Sequence, residues 1–175
     1  GTVDDTFVSL ENGRTVNSPG LLGQVADLTQ TAVCCEFNDL AGVETALAQG
    51  DVAAILTEPV MTNSCMVLPE AGFHDGLRQL SMKYGALLIM DETHTISSGL
   101  GGYTRVHSLR PDIFVVGKCV AGGMPTAVWG LTDETAKRYE AVNANRPSGR
   151  SGMGTTLSAN PMQFACLVAN LAEVM

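Results

Sequence analysis

The chain has 175 residues, 45% of them apolar, enough for a sizeable core in one domain or in part of a larger one. Its formal net charge is -8, from 18 acidic and 10 basic residues, and no run of Lys and Arg interrupts the acidic balance. That balance excludes nucleic acid and an anionic membrane surface as working partners.

Residues 1–37 are rich in Gly, Thr, Asn and Ser and carry little periodicity, which predicts loops and short strands. Asn38-Asp39 predicts a helix cap, followed by Leu40, Val43, Ala46 and Leu47 at helical spacing and closed by Gly50. Residues 52–57 form a short continuous apolar run, which suits a buried strand. A helix is predicted over 73–84, with Phe73, Leu77, Leu80 and Tyr84 on one side and Gly85 at its end. Residues 86–90 and 112–116 read as two further buried strands, ending at Asp91-Glu92 and at Gly117-Lys118, and 126–130 as a fourth. A helix follows over about 133–142, then a Gly/Ser/Arg loop over 146–154, and the last helix begins at Ser158 or Asn160. Strands alternating with helices predict an α/β fold, a mostly parallel sheet flanked by helices, with no linker that divides it. In such sheets ligands bind beyond the carboxyl ends of the strands. Glu58-Pro59, Asp91-Glu92 and Gly117-Lys118 all sit there.

Five cysteines (Cys34, Cys35, Cys65, Cys119 and Cys166) lack the even number and spacing of a disulfide framework, and no CxxC or HxxxH pair suggests a metal. A reducing, cytoplasmic setting is the expectation. Residues 1–17 show no signal-peptide pattern, and no stretch reaches the apolar length of a membrane span. The first residue is not Met, and residues 167–175 stop inside an amphipathic helical pattern, so both ends read as cut from a longer chain.

Lys118 closes an apolar strand beside small residues, a place that faces a cleft more readily than open water and suits a nucleophilic amine. Gly122-Gly123 lets backbone approach a ligand closely. An exposed strand-end lysine is the plainer reading of the same residues. A phosphate loop is excluded, because its first Gly is absent and Cys119 stands where Ser or Thr is required. Asp91 can hold a proton on a ligand's ring nitrogen, which makes a pyridine ring an electron sink; it can equally cap a turn. Arg105 and Arg110 read as surface residues before carboxylate binders. Trp129 reads as core before ligand platform, and Met61, Met66 and Met90 as packing residues.

Four segments together resemble successive motifs of the class III, fold-type I, pyridoxal-phosphate-dependent aminotransferases. They are Ala53-Ala-Ile-Leu-Thr-Glu-Pro-Val60, Leu88-Ile-Met-Asp-Glu-Thr-His-Thr95, Pro111-Asp-Ile-Phe-Val-Val-Gly-Lys-Cys-Val-Ala-Gly-Gly-Met-Pro125 and Gly154-Thr-Thr-Leu-Ser-Ala-Asn-Pro161. Order and spacing agree over about residues 38–175, near the glutamate-1-semialdehyde aminomutases and the β-amino-acid transaminases. The resemblance implies pyridoxal 5'-phosphate as cofactor and a Schiff base at Lys118, whose amine then shuttles a proton between the substrate carbon and the cofactor. It implies that Asp91 pairs with the ring nitrogen, that Thr93 lies near the ring face, and that Thr156 binds the cofactor phosphate of the other subunit of a homodimer. His94 stands where many relatives have Gln or Met, and two roles stay open: a hydrogen bond to the cofactor's phenolic oxygen, or a packed neutral imidazole. Asn63, a candidate substrate-binding residue, stands where ω-amino-acid enzymes have Glu, and so matches the aminomutases and β-amino-acid enzymes better. The Asp-Glu-Thr-His-Thr run fits typical aminomutases poorly.

Residues 1–175 are then the central part of the large cofactor-binding domain. The resemblance implies that the same-subunit phosphate loop and a ring-stacking aromatic lie before residue 1, and that a small carboxyl-terminal domain follows Met175. The implied function is transfer of an amino group between a small amino acid, β-amino acids included, and a 2-oxo acid. An intramolecular aminomutase is the alternative, and a catalytically silent truncated relative is a third reading.

Overall fold

A computed structural model describes residues 6–63, 65–147, 158 and 160–174. The chain falls into two compact units, Gly1–Val52 and Ala53–Met175.

In the first unit, β1 (Val8–Glu11) and β2 (Arg14–Asn17) pair antiparallel. Asn12 and Gly13 join them with φ of 51 and 74°, the doubly left-handed turn whose twist matches a hairpin and which Asn-Gly adopts readily. Asn17 then organises the following segment: its Oδ1 accepts the Leu28 N–H at 2.9 Å and its Nδ2 donates to Asp27 at 2.9 Å. Helix α1 (Leu40–Leu47) begins at Asp39, whose carboxylate accepts the Gly42 N–H at 2.9 Å, and it buries Val43 and Leu47. The capping residue, the helix and its buried face are those the sequence predicts.

The second unit is built on a sheet in the order β3 (Ala54–Thr57), β4 (Leu87–Asp91), β5 (Ile113–Val116), β6 (Val128–Leu131). β3, β4 and β5 run parallel, and β6 returns antiparallel beside β5. Helix α2 (Phe73–Tyr84) connects β3 to β4, and α3 (Gly102–Val106) lies between β4 and β5. Helix α4 (Asp133–Asn143) follows β6, and α5 (Pro161–Glu173) packs against the turn after β5. The mostly parallel sheet and α2 match the expectation, whereas α3 is an addition; its five residues are too few for a periodic signal. Phe73 and Leu77 of α2 are buried, as are Leu88 and Met90 of β4. Asn160 begins α5, its side chain accepting the Met162 N–H at 2.9 Å.

α2 is fixed at both of its first two turns. The His74 Nε2–H donates to the Pro59 carbonyl at 2.8 Å, just past β3. Arg78 donates to Asp112 Oδ2 at 2.6 Å, and the same oxygen accepts the Leu88 N–H at 2.8 Å. Helix, β4 and the entry to β5 thus share one carboxylate.

Trp129 departs from expectation. It is 51% exposed on β6. β6 flanks the sheet, and strand alternation turns Val128, not Trp129, toward the cluster of Val116, Val120, Ala121 and Leu167. Met90 is core, but Met66 is 73% exposed. Arg105 and Arg110 are exposed, as read.

Candidate active site

Parallel pairing aligns three strand exits. Thr57 pairs with Met90, and Asp91 with Val115. Glu58, Asp91 and the Gly117-Lys118 step therefore follow one another along the same edge of the sheet.

The two adjacent carboxylates at the end of β4 have different fates. Leu88 and Met90 are buried, while Leu87, Ile89 and Asp91 form the half-buried face. One more step of the alternation puts Glu92 on the buried side. Glu92 is fully buried and accepts the Thr95 hydroxyl at 2.5 Å, the Tyr103 N–H at 3.2 Å and the Thr104 N–H. It thereby satisfies the first N–H groups of α3. Gly102 has φ 73° at this contact, and a Cβ there would lie 3.0 Å from Glu92 Oε2, so both conformation and space require Gly. Glu92 is a structural carboxylate that the sequence reading left without a role.

Asp91 instead keeps capacity for a ligand. Its Oδ1 accepts the Thr93 N–H at 2.9 Å, and no hydrogen bond among the described residues reaches Oδ2. Thr93 Oγ1 accepts the Gly117 N–H at 3.2 Å, tying the exit of β4 to that of β5. Lys118 follows directly. It opens a short 3-10 turn, Lys118–Ala121, with φ 51°, a left-handed conformation that costs a non-glycine residue about 1–2 kcal/mol. Its side chain is exposed, and its amine has no ion pair or hydrogen bond among the described residues.

His94 sits in a hydrogen-bonded chain. Thr62 Oγ1 donates to Glu58 Oε2 at 2.7 Å and lies within hydrogen-bond distance of His94 Nδ1; His94 Nδ1 is 3.5 Å from the same Glu58 oxygen. A hydroxyl has one proton, and Thr62 gives it to the carboxylate, so Nδ1 carries the hydrogen that binds Thr62. That fixes the tautomer and leaves Nε2 without a hydrogen bond among the described residues. Thr62 had no signal in the sequence, because neither a motif nor a periodicity marks it. Asn63 is exposed beyond the Met61–Val67 pairing, whose N–H···O distances are 3.1 and 2.8 Å. No hydrogen bond among the described residues joins Asn63 to the other predicted site residues. Thr156, and most of the motif that contains it, lies outside the described residues. No cluster of His, Cys, Asp and Glu among the described residues suits a metal, and all five cysteines are free.

Parallel strand exits set the Lys118 turn next to the exit that carries Asp91, whose Oδ2 accepts no hydrogen bond among the described residues, an arrangement suited to a carbonyl-bearing heteroaromatic cofactor. The architecture matches solved fold-type I pyridoxal-phosphate enzymes. A lysine-to-alanine variant of a glutamate-1-semialdehyde aminomutase from Pseudomonas aeruginosa PAO1, in complex with PMP, superposes with a TM-score of 0.93 at 48% identity, covering 100% of this chain and 40% of that one. An omega-transaminase from Sphaerobacter thermophilus superposes at 0.81 with 27% identity, covering 100% and 41%. The profile described as aminotransferase class-III matches residues 12–175, and the chain belongs to that family. A curated relative, glutamate-1-semialdehyde 2,1-aminomutase of Syntrophomonas wolfei, is 39% identical over 160 residues, covering 88% of this chain and 34% of its own length. The same-named protein of Saccharolobus islandicus is 36% identical over 149 residues, covering 85% and 34%. The chain thus spans about a third of the length of these relatives.

The family's cofactor is pyridoxal 5'-phosphate. The residues present fit it: an aldehyde needs an amine, which Lys118 has, and a protonated ring nitrogen needs an acceptor, which Asp91 Oδ2 supplies.

Proposed function

We propose that this chain is the central part of the large cofactor-binding domain of a pyridoxal-phosphate-dependent aminotransferase. It moves an amino group between a small amino acid, β-amino acids included, and a 2-oxo acid. The observation that carries the reading is the Asp91–Thr93–Gly117 linkage, which holds a carboxylate and the Lys118 turn at adjacent strand exits.

Bound pyridoxal phosphate supplies the electron sink that makes a proton on the substrate carbon removable. Lys118 holds the cofactor and its Nζ takes and returns that proton. Asp91 keeps the ring nitrogen protonated by close opposite charge. Thr93 fixes Asp91 through its N–H and lies against the ring. Glu58 and Thr62 orient His94 toward the cofactor's phenolic oxygen. Asn63 contacts substrate, and Thr156 of one subunit binds the phosphate held in the other, so the working form is a homodimer.

A second reading, an intramolecular aminomutase, is favoured by the names of the relatives above 35% identity. The experiment uses the full-length protein loaded with pyridoxal phosphate. Borohydride should fix the label on Lys118, and an amino acid plus a 2-oxo acid should yield the exchanged pair. Isomerisation of one amino compound with no second substrate would select the mutase. Label on another lysine would remove the Lys118 assignment, and no cofactor uptake would leave a silent relative.

A further inference from the structure

α5 presents a single stripe to the turn that carries Lys118. Gln163, Leu167 and Asn170 are at least half-buried, at spacings that line one helix face, while Phe164, Val168 and Leu171 are exposed. Leu167 packs with Val116, Val120 and Ala121. Gln163 Nε2 donates to the Pro125 carbonyl at 2.8 Å. Asn170 makes the most local contact: its Nδ2 donates to both Cys119 O and Val120 O, at 3.1 Å each. Those are the two carbonyls that follow Lys118. Cys119 O also accepts the Gly122 N–H at 3.0 Å, and a Cβ on Gly122 would lie 3.5 Å from Asn170 Oδ1. The amide therefore lies across the turn. An apolar residue there would continue the run Ala165-Cys-Leu-Val-Ala169 without loss to the helix, so the helix itself does not call for Asn.

We propose that Asn170 is a positioning residue for Lys118. By holding the next two carbonyls it keeps the Lys118 backbone at its left-handed φ of 51° and so presents the amine for capture of an aldehyde cofactor. In that capture the Lys118 amine condenses with the aldehyde: a C=N bond forms, and the aldehyde oxygen leaves as water with both amine hydrogens. The proposal rests on the reading of Lys118 given under the proposed function.

The test compares full-length parent, Asn170→Ala, Asn170→Asp and Lys118→Ala proteins stripped of cofactor. Uptake of pyridoxal phosphate is followed by borohydride trapping and mass mapping of the Lys118 peptide. Affinity for pyridoxamine phosphate, which has an amine in place of the aldehyde and cannot condense with lysine, is measured in parallel. Both Asn170 variants should trap label about tenfold more slowly, while pyridoxamine phosphate affinity stays within about twofold of the parent. Lys118→Ala should trap none at that peptide. Unchanged trapping rates overturn the proposal. So does a parallel loss of pyridoxamine phosphate affinity, or loss of the parent circular dichroism in both variants, since either makes Asn170 a folding residue. A parent protein labelled at another lysine overturns the Lys118 reading and the proposal with it; the other outcomes overturn the proposal alone.

Discussion

Asp91 and Glu92 are neighbours in sequence and differ in task because a strand turns successive side chains to opposite faces. Glu92 is saturated with donors from Thr95, Tyr103 and Thr104, whereas Asp91 Oδ2 is left open among the described residues. Asp91→Asn keeps the shape and the Thr93 contact but removes the charge proposed to hold the ring proton. Activity of the full-length enzyme should fall about a thousandfold, with its unfolding midpoint nearly unchanged. Turnover equal to the parent would remove the electronic role. The placement of Asp91 and Lys118 at strand exits was legible because both stand at the ends of apolar runs, while the roles proposed for them rest on the family resemblance. Thr62 was not, because its place between Glu58 and His94 exists only after β3 and β4 pair in register.

Helix α2 shows how one element links two sites on the sheet. Its first turn holds the Pro59 carbonyl next to Glu58, and its second holds Asp112 at the entry to β5. Burial pushes the His74 imidazole below its ordinary value, and His107 pushes the same way; the Pro59 hydrogen bond and Asp75 pull it back in part. Nδ1 is buried with no hydrogen bond among the described residues, as expected of a neutral ring donating through Nε2. The ring also meets Tyr103 edge-on at 6.1 Å, and Tyr103 stacks on His107 at 3.8 Å. Because the folded value is the lower one, the unfolded chain takes up the proton first as pH falls. The stability that the neutral ring contributes is complete above about pH 6.5 and is lost as pH drops through the depressed folded value. Urea midpoints of the full-length protein at about pH 7.5 and about pH 5.5 should differ more in the parent than in His74→Gln. Equal differences would show that His74 does not couple folding to protons. The apolar spacing of 73–84 announced this helix, but nothing in it indicated that His74 and Arg78 would find Pro59 and Asp112.

For the whole molecule, the decisive prediction concerns assembly. If Thr156 serves the cofactor held by Lys118 of the other subunit, full-length Lys118→Ala and Thr156→Ala proteins should complement each other. Each mixed dimer then has one site with both defects and one with neither, so partial activity should return on mixing. If both residues serve one subunit's site, every site in the mixed dimer keeps a defect and mixing restores nothing. No helix among the described residues is long and apolar enough to cross a membrane.

The sequence by itself determined the order of the sheet strands and of the longer helices, α3 excepted, because apolar runs, helical spacing and caps such as Asp39 and Asn160 are local. It also carried the family, through four motifs that remain in order along the chain. Only the tertiary structure decided which carboxylate is buried, which face of β6 is covered, and which side chains brace the site. Glu92 meets α3, Thr62 meets His94 and Asn170 meets the Lys118 turn across separations of eleven to fifty-one residues. Such contacts follow from strand register and helix docking, and no local pattern of residues encodes them.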